Sequence, residues 1–226
     1  MLHNKKIVSL SHTLTPSSPT WNGKEAFIET REWDYPTCST TTKFRVQSFC
    51  FDAGTGTHID APAHSVPGGR TVDQLEMNEL IAPCFIIDAS MYATSDSLID
   101  LATIKLFERT HQVKFANSMV FFKTNWSIHW SQKQKYRNDL QFPALSAEAA
   151  AYLVDQEVIA IGIDTLGPDR PGDTFPVHDI VLGANRYLIE NLTHLDQLPP
   201  CGATAIVMPL LIAGATEAPA RIIGYF

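Results

Sequence analysis

Short apolar runs of strand length recur along the chain, each bounded by turn-forming or polar residues. Residues 43–51 alternate between apolar and polar side chains. Nearly continuous apolar runs occur at residues 84–87, 119–122, 158–163 and 205–212. Alternation is typical of a half-buried strand, and a short apolar run is typical of a fully buried one. The pattern therefore predicts a chain rich in β-strands, the first of them within residues 7–14.

Helical signals are fewer. Ser146 can cap a helix over residues 147–153, and Glu148 is favourable in its first turn. Residues 99–110 and 180–192 are two further helix candidates. Many strands with a few inserted helices indicate an α/β (α+β) fold with a mixed sheet or barrel-like core and peripheral helices. We expect residues 1–226 to form a single domain.

Composition narrows the function classes. A hydrophobic fraction of 45% with 18% charged residues excludes a disordered chain. The net charge of −7 gives no electrostatic attraction to nucleic acid or to an anionic membrane, and we expect neither partner. The four cysteines include no C-x-x-C pair, and no signal peptide is visible. A cytoplasmic protein with reduced thiols is expected.

One segment concentrates the chemistry, the stretch GTGTHIDAPAH from Gly54 to His64. His58, Asp60 and His64 have the same parity, so in an extended chain they start on one face. Imidazole and carboxylate together suit Zn²⁺ or Mn²⁺, and residues at i and i+2 can converge on one ion. A polar loop with exposed or locally hydrogen-bonded histidines is the alternative interpretation.

His64 needs a bend to join the other two residues. Six residues of strand would carry it about 20 Å from His58. Pro62 and its small neighbours favour such a bend, and Gly56 allows a close approach of the backbone to a ligand.

The same block resembles the signature of the metal-dependent hydrolase/cyclase family that includes bacterial kynurenine formamidase and isatin hydrolase. The signature reads His-x-Gly-Thr-His-x-Asp-x-Pro-x-His, and the positions that match in register are Gly56, Thr57, His58, Asp60, Pro62 and His64. The resemblance extends over most of the chain. It implies a swivelling β/β/α fold, metal ligation by His58 and Asp60, and a general acid/base role for His64.

The resemblance implies three further site residues. The family places a histidine and a glutamate 12 residues apart as metal ligands, and His178 and Glu190 have that separation. We expect Glu190 on the predicted helix and His178 just before it. Trp21 lies in the place of the family's substrate loop, where its ring could stack on an aromatic substrate. Without the resemblance, these three would be ordinary surface or helix residues.

The chain departs from the signature at its first histidine, where it has Gly54. Glycine has no side chain to coordinate an ion, so we expect either a single ion or an unequal pair. Asp60 with His178 and Glu190 would form the stronger of the two metal sites, because these residues do not depend on the missing histidine. Asp52 and Cys50 share the parity of Gly54 and are candidate substitute ligands, although an ordinary strand end is the simpler interpretation.

The resemblance implies a metal-dependent, arylformamidase-like amidohydrolase. It would cleave an aryl formamide or a cyclic amide, C–N bonds other than peptide bonds, with metal-activated water and His64. Two alternatives stay open: a non-catalytic ligand-binding homologue with a degraded metal site, and a lactone or ester hydrolase that uses the same residues. The expected cofactor is one or two divalent ions, Zn²⁺ or Mn²⁺. The expected partners are a small-molecule substrate and further copies of the chain in a homodimer or homotetramer.

Overall fold

A mixed β-sheet forms the centre of the computed structural model, which describes residues 5–94, 97–172 and 174–226. The strands in chain order are β1 (Ile7–Ser9), β2 (Ile28–Trp33), β3 (Val46–Cys50), β4 (His58–Asp60), β5 (Ile81–Asp88), β6 (Leu98–Ile99), β7 (Met119–Lys123), β8 (Ala144–Leu145), β9 (Ala160–Ile163), β10 (Tyr187–Glu190), β11 (Ala203–Pro209) and β12 (Glu217–Tyr225).

The central sheet closes on itself. Its order is β1-β12-β11-β5-β7-β9-β10-β4, and β4 also pairs with β12. Strands β5, β7, β9 and β10 run parallel, while the remaining pairs are antiparallel. The result is a closed, barrel-like sheet of seven strands with β1 added outside β12. This confirms the α/β class and the mixed, barrel-like core expected from the sequence.

Helices are inserted between the strands of this sheet. They are α1 (Met77–Leu80), α2 (Leu101–His111), α3 (Lys133–Arg137), α4 (Ala147–Asp155) and α5 (Pro176–Gly183). The predicted helix after Ser146 is confirmed, and the Ser146 side chain accepts a hydrogen bond from the Ala149 amide. The candidate over residues 99–110 corresponds to α2. Within the described residues, every helix is too short or too polar to span a bilayer.

Alternation along the strands divides the core into two layers. On β7, Met119 and Phe121 face the inside of the closed sheet, whereas Val120 and Phe122 pack with residues of α2, α4 and α5. The same period places Ile59 of β4 inside. Its neighbours on β4 therefore point outward, onto the face on which the helices pack.

The prediction of a helix over residues 180–192 is wrong beyond Gly183, where α5 ends. The chain leaves α5 there, Asn185 adopts a left-handed φ of 61°, and Tyr187–Glu190 form β10. β10 is buried at every position and pairs with β9 and β4. Its apolar run suits a buried strand as well as a helix, so tertiary pairing decided between the two.

Strands β2 and β3 form a separate two-stranded arm, and the alternating pattern of residues 43–51 corresponds to β3. Nearly all of its side chains are exposed. The arm lies outside the closed sheet that carries the candidate site.

Candidate active site

Three adjacent strands place acidic and imidazole groups on one outward face. His58 and Asp60 of β4 point away from the interior, because Ile59 between them belongs to the inner core. Across the β10 pairing Glu190 stands opposite His58, and across the β12 pairing Glu217 stands opposite Asp60. Side chains that are directly opposite on neighbouring strands lie within contact distance. The register of two strand pairs therefore assembles four of the site residues.

The chain turns sharply after β4, as predicted from Pro62. Residues Pro62–His64 form a single 3₁₀ turn with the proline in its first position. The turn returns His64 to the site, where its Nδ1 lies 3.2 Å from Oε2 of Glu217. Just before β4, Gly56 has a φ of 71°, a conformation that favours glycine.

His178 comes from the first turn of α5 and not from the loop before it. Asp169 accepts hydrogen bonds from the amides of Val177 and His178, at 3.0 and 2.9 Å, and so caps the helix. The same carboxylate accepts from Nδ1 of His178 at 2.8 Å. Because Nδ1 is held in this way, Nε2 points toward Asp60 and Glu190.

His58 is oriented by an equivalent bond to the backbone. Its Nδ1 lies 2.8 Å from the Gly56 carbonyl, which also accepts a bond from the Asn191 side-chain amide at 2.9 Å. The hydroxyl of Tyr136 donates to Oδ1 of Asn191. All members of this network are buried or nearly so. It leaves Nε2 of His58 directed at the carboxylates.

The distances between these side chains fit a shared ion. Nε2 of His58 lies 3.4 Å from Oδ1 of Asp60 and 3.4 Å from Oε2 of Glu190. Nε2 of His178 lies 3.6 Å from Oδ2 of Asp60 and 3.5 Å from Oε1 of Glu190. Two ligand atoms each about 2.1 Å from a tetrahedral ion are about 3.4 Å apart. The spacing therefore suits coordination better than direct hydrogen bonding.

Asp60 is the shared member of the cluster. It is 1% exposed, and neither carboxylate oxygen has a hydrogen-bond partner within the described residues. A buried carboxylate without partners is costly unless a cation neutralises it. Among the residues that the structure describes, two groups of side chains can hold such a cation, Asp60 with His178 and Glu190, and Asp60 with His58 and Glu217. The residues present thus fit a divalent metal.

The charges of neighbouring side chains outweigh burial and raise the pKa values of both histidines of the cluster. Burial opposes protonation of His58, but Asp60 and Glu190 raise its pKa to about 10. Burial likewise opposes protonation of His178, but Asp169, Asp60 and Glu190 raise its pKa to about 12. Burial and the charge of Asp60 raise the pKa of Glu190. The cluster therefore favours positive charge, which protons on the imidazoles or a divalent cation can supply.

A cavity of about 600 Å³ opens above the cluster. Trp21 lines it, 39% exposed, with its ring 6.1 Å from the Phe175 ring. His64 and Glu217 line the cavity together with the residues of the cluster. The cavity thus combines aromatic surfaces with a titratable side chain beside the cluster.

Neither substitute ligand suggested for the Gly54 corner joins the cluster in the described part of the chain. Asp52 accepts a hydrogen bond from Asn22, and Cys50 is exposed on β3. Both lie at the end of the arm, as the simpler interpretation held. Glu217 of β12 approaches the Gly54 corner instead.

Sequence reasoning missed Glu217, Asp169 and Asn191. Glu217 is an acidic residue at the entry to an apolar stretch, which is a weak signal. Asp169 lies outside the cap position of α5, which is Phe175, so its role could not be read from the sequence pattern. Asn191 carried no signal by itself, because its role depends on the fold.

Comparison with known proteins agrees with this geometry. Isatin hydrolase from Roseibium aggregatum is 31% identical over 182 residues, which are 74% of this chain and 69% of that protein. Kynurenine formamidase from Erythrobacter litoralis is 27% identical over 209 residues, 92% of this chain and 88% of that protein. Isatin hydrolase A from Ralstonia solanacearum superposes with a TM-score of 0.86 at 30% identity, over 98% of this chain and 92% of that chain.

The resemblance suggested by the signature is therefore confirmed at the level of the family. The sequence model of the family described as putative cyclase matches residues 8–170, well over half of the chain. With the matching structure and the assembled His/Asp/Glu cluster, this shows that the chain belongs to the putative cyclase family.

Proposed function

We propose that the protein is a metal-dependent hydrolase that cleaves the amide bond of a small aryl formamide or cyclic amide. The observation that carries the proposal is buried Asp60, whose two unpartnered oxygens, as far as the described residues show, face His58 and His178 beneath an open cavity. Relatives named isatin hydrolase and kynurenine formamidase support the reaction class.

The cavity wall favours an aromatic substrate. Trp21 packs edge-on against Phe142 and tilts toward Phe175, which leaves part of its ring open to the cavity. Flat aromatic groups gain from stacked or edge contacts with such rings in addition to the area they bury. Trp21 would hold the ring of the substrate while its amide carbon reaches the cluster.

A divalent cation held by Asp60, His178 and Glu190 would supply Lewis-acid polarisation of water and of the substrate carbonyl. Nδ1 of His64 lies 3.2 Å from Oε2 of Glu217, and His64 lines the cavity. With its proton on Nδ1, the imidazole would have a lone pair on Nε2 that can accept a proton. His64 accepts a proton from the attacking water as the C–O bond forms. It returns that proton to the leaving nitrogen as the C–N bond breaks.

Glu217 also favours the protonated state of His64. The hydrogen bond to Glu217 outweighs burial and raises the pKa of His64. A base whose pKa is raised accepts a proton more readily, which suits the first of the two proton transfers.

The test is hydrolysis of N-formylkynurenine, isatin and a panel of aryl formamides. Protein stripped with chelator is assayed before and after addition of Zn²⁺ or Mn²⁺. We expect activity only with metal, and a loss of about 10²–10⁴-fold in kcat for His64→Gln with the bound metal retained. Activity that survives complete removal of metal would refute the proposal.

The panel also separates the two alternatives. Turnover of lactones or esters without turnover of any amide would indicate the ester reaction. Bound metal without turnover would indicate a ligand-binding protein. Gly54 was the sequence feature that favoured this second alternative, and the approach of Glu217 to that corner weakens it.

We also propose that the protein is a homodimer or homotetramer in the cytoplasm. The β2–β3 arm exposes Ile28, Trp33 and Phe49 at 60%, 51% and 52%. Apolar side chains grouped on a two-stranded arm are typical of an interface, because such an arm is marginally stable alone. Light scattering on the purified protein tests this, and a monomeric mass would contradict it.

A further inference from the structure

Gly54 lies where a side chain and Glu217 compete for the same space. A Cβ at residue 54 would come closer to Oε1 of Glu217 than van der Waals contact allows, and it would lie 3.2 Å from Nε2 of His58. The φ of Gly54 lies outside the left-handed region, so its backbone does not demand glycine. What the position requires is space, and Glu217 uses that space.

Glu217 reaches this corner because of the β4–β12 register. It is paired with Asp60, on the same outward face, and its Oε1 lies 3.9 Å from Nε2 of His58. One ligand atom from each of His58, Asp60 and Glu217 can be chosen so that all lie within 4.8 Å of one another. The Glu217 side chain is 22% exposed, so it faces the cavity from a partly buried position.

Asp60 connects this corner to the other half of the cluster. Its Oδ1 is the oxygen near His58, and its Oδ2 is the oxygen near His178. Both oxygens are buried, and both are unpartnered across residues 5–94, 97–172 and 174–226. One carboxylate with two open oxygens can bridge two adjacent cations, as in two-metal hydrolytic sites.

We propose that Glu217 is a metal ligand, whose Oε1 completes with His58 and Asp60 a second divalent-cation site beside the one formed by Asp60, His178 and Glu190. This inference deepens the proposed hydrolase function and rests on it. Gly54 is then the small residue that makes room for a carboxylate ligand arriving from β12.

The second oxygen of Glu217 adds a further consequence. Oε2 holds Nδ1 of His64, so one carboxylate contacts both the cation corner and the proton-transferring imidazole. A carboxylate also suits oxygen-preferring ions such as Mn²⁺ better than an imidazole does. The affinity for Mn²⁺ relative to Zn²⁺ should therefore depend on Glu217.

Calorimetric titration of the chelator-treated full chain with Mn²⁺ and with Zn²⁺ tests the inference without any activity assay. The variants are Glu217→Gln, Glu217→Ala and the double variant Gly54→His/Glu217→Gly. His64→Gln is the matched control, since it removes the partner of Oε2 and leaves Oε1 in place. Thermal unfolding of each variant checks that it is folded.

We expect two Mn²⁺ per wild-type chain and also per His64→Gln chain. Both Glu217 variants should keep one ion at unchanged affinity and bind the other at least about 10-fold more weakly. The double variant should recover a second ion and shift selectivity toward Zn²⁺. Unchanged binding of both ions in Glu217→Ala would overturn the ligand role while leaving the hydrolase proposal standing. A wild-type chain that binds no divalent metal would overturn both.

Discussion

The carboxylate of Asp169 positions His178, and its removal tests how far metal binding depends on that positioning. It caps α5 through two backbone amides and holds Nδ1 of His178 at 2.8 Å. Asp169→Asn keeps the shape of the side chain but removes its charge and replaces one acceptor oxygen with an NH₂ group. One acceptor position is then lost, either the one that serves Val177 or the one that serves His178, and the remaining acceptor oxygen is uncharged.

The magnitude follows from the bond that is lost. A hydrogen bond to a charged group contributes about 1.5–3 kcal/mol, which corresponds to roughly 10–100-fold in a dissociation constant. Loss of the outer partner of a metal-binding histidine has an effect of similar size. We therefore expect Asp169→Asn to weaken binding of one Mn²⁺ by about 10–100-fold in calorimetric titration.

A helix cap on another element supplies the control. Ser146 caps α4, and Ser146→Ala should cost about 1 kcal/mol of stability, or roughly 2–4 °C in Tm, without changing metal affinity. If Asp169→Asn binds metal as tightly as wild type, the positioning role is refuted. Equal weakening by Ser146→Ala would show that any destabilisation loosens the site.

Three further predictions concern other parts of the molecule. Gly54→Ala should displace the Glu217 carboxylate and weaken the binding of one metal ion about 10-fold in calorimetric titration, with little change in Tm. Unchanged affinity for both ions would contradict this prediction. Trp21→Ala should raise KM for aromatic amides about 10-fold with kcat nearly unchanged, and an unaltered KM would remove its substrate role. Burial and the charge of His194 lower the pKa of His12, which stacks on Trp130, to about 3. Because the unfolded chain titrates near 6.5, stability should fall as pH drops from 6.5 to 3, by about 1–2 kcal/mol at pH 5. His12→Phe should lose the part of the pH dependence of stability that is due to His12, as measured by thermal unfolding from pH 7.5 to 5. The same change of stability with pH in wild type and variant would contradict this role of His12.

The block around β4 could be predicted from sequence because its signal is local. The spacing of His58 and Asp60 predicts that they share one face of a strand, and Pro62 predicts the turn that brings His64 back to them. The structure brings these residues together with His178 and Glu190. Their roles as ligands and proton carrier stay predictions that the metal titrations and the His64 variant test.

The positions of Glu190 and Glu217 depend on pairing between distant strands, which the sequence pattern does not predict. The spacing of Tyr187, Leu188, Asn191 and Leu192 predicts a helix around Glu190, and only the β10 pairings with β9 and β4 make Glu190 a strand residue. Glu217 is far from Asp60 in the chain, and the β12 register alone makes them neighbours. Residues close to Gly54 in the sequence therefore suggest Asp52 as a substitute ligand, whereas the carboxylate that approaches Gly54 belongs to Glu217 of β12.

The proposed function depends above all on a divalent cation bound by the buried Asp60 cluster. Anomalous diffraction from crystals grown with Mn²⁺ can locate such a cation. We expect an anomalous peak about 2.0–2.2 Å from ligand atoms of Asp60, His178 and Glu190. Clear density for these side chains with no anomalous peak among them would contradict it.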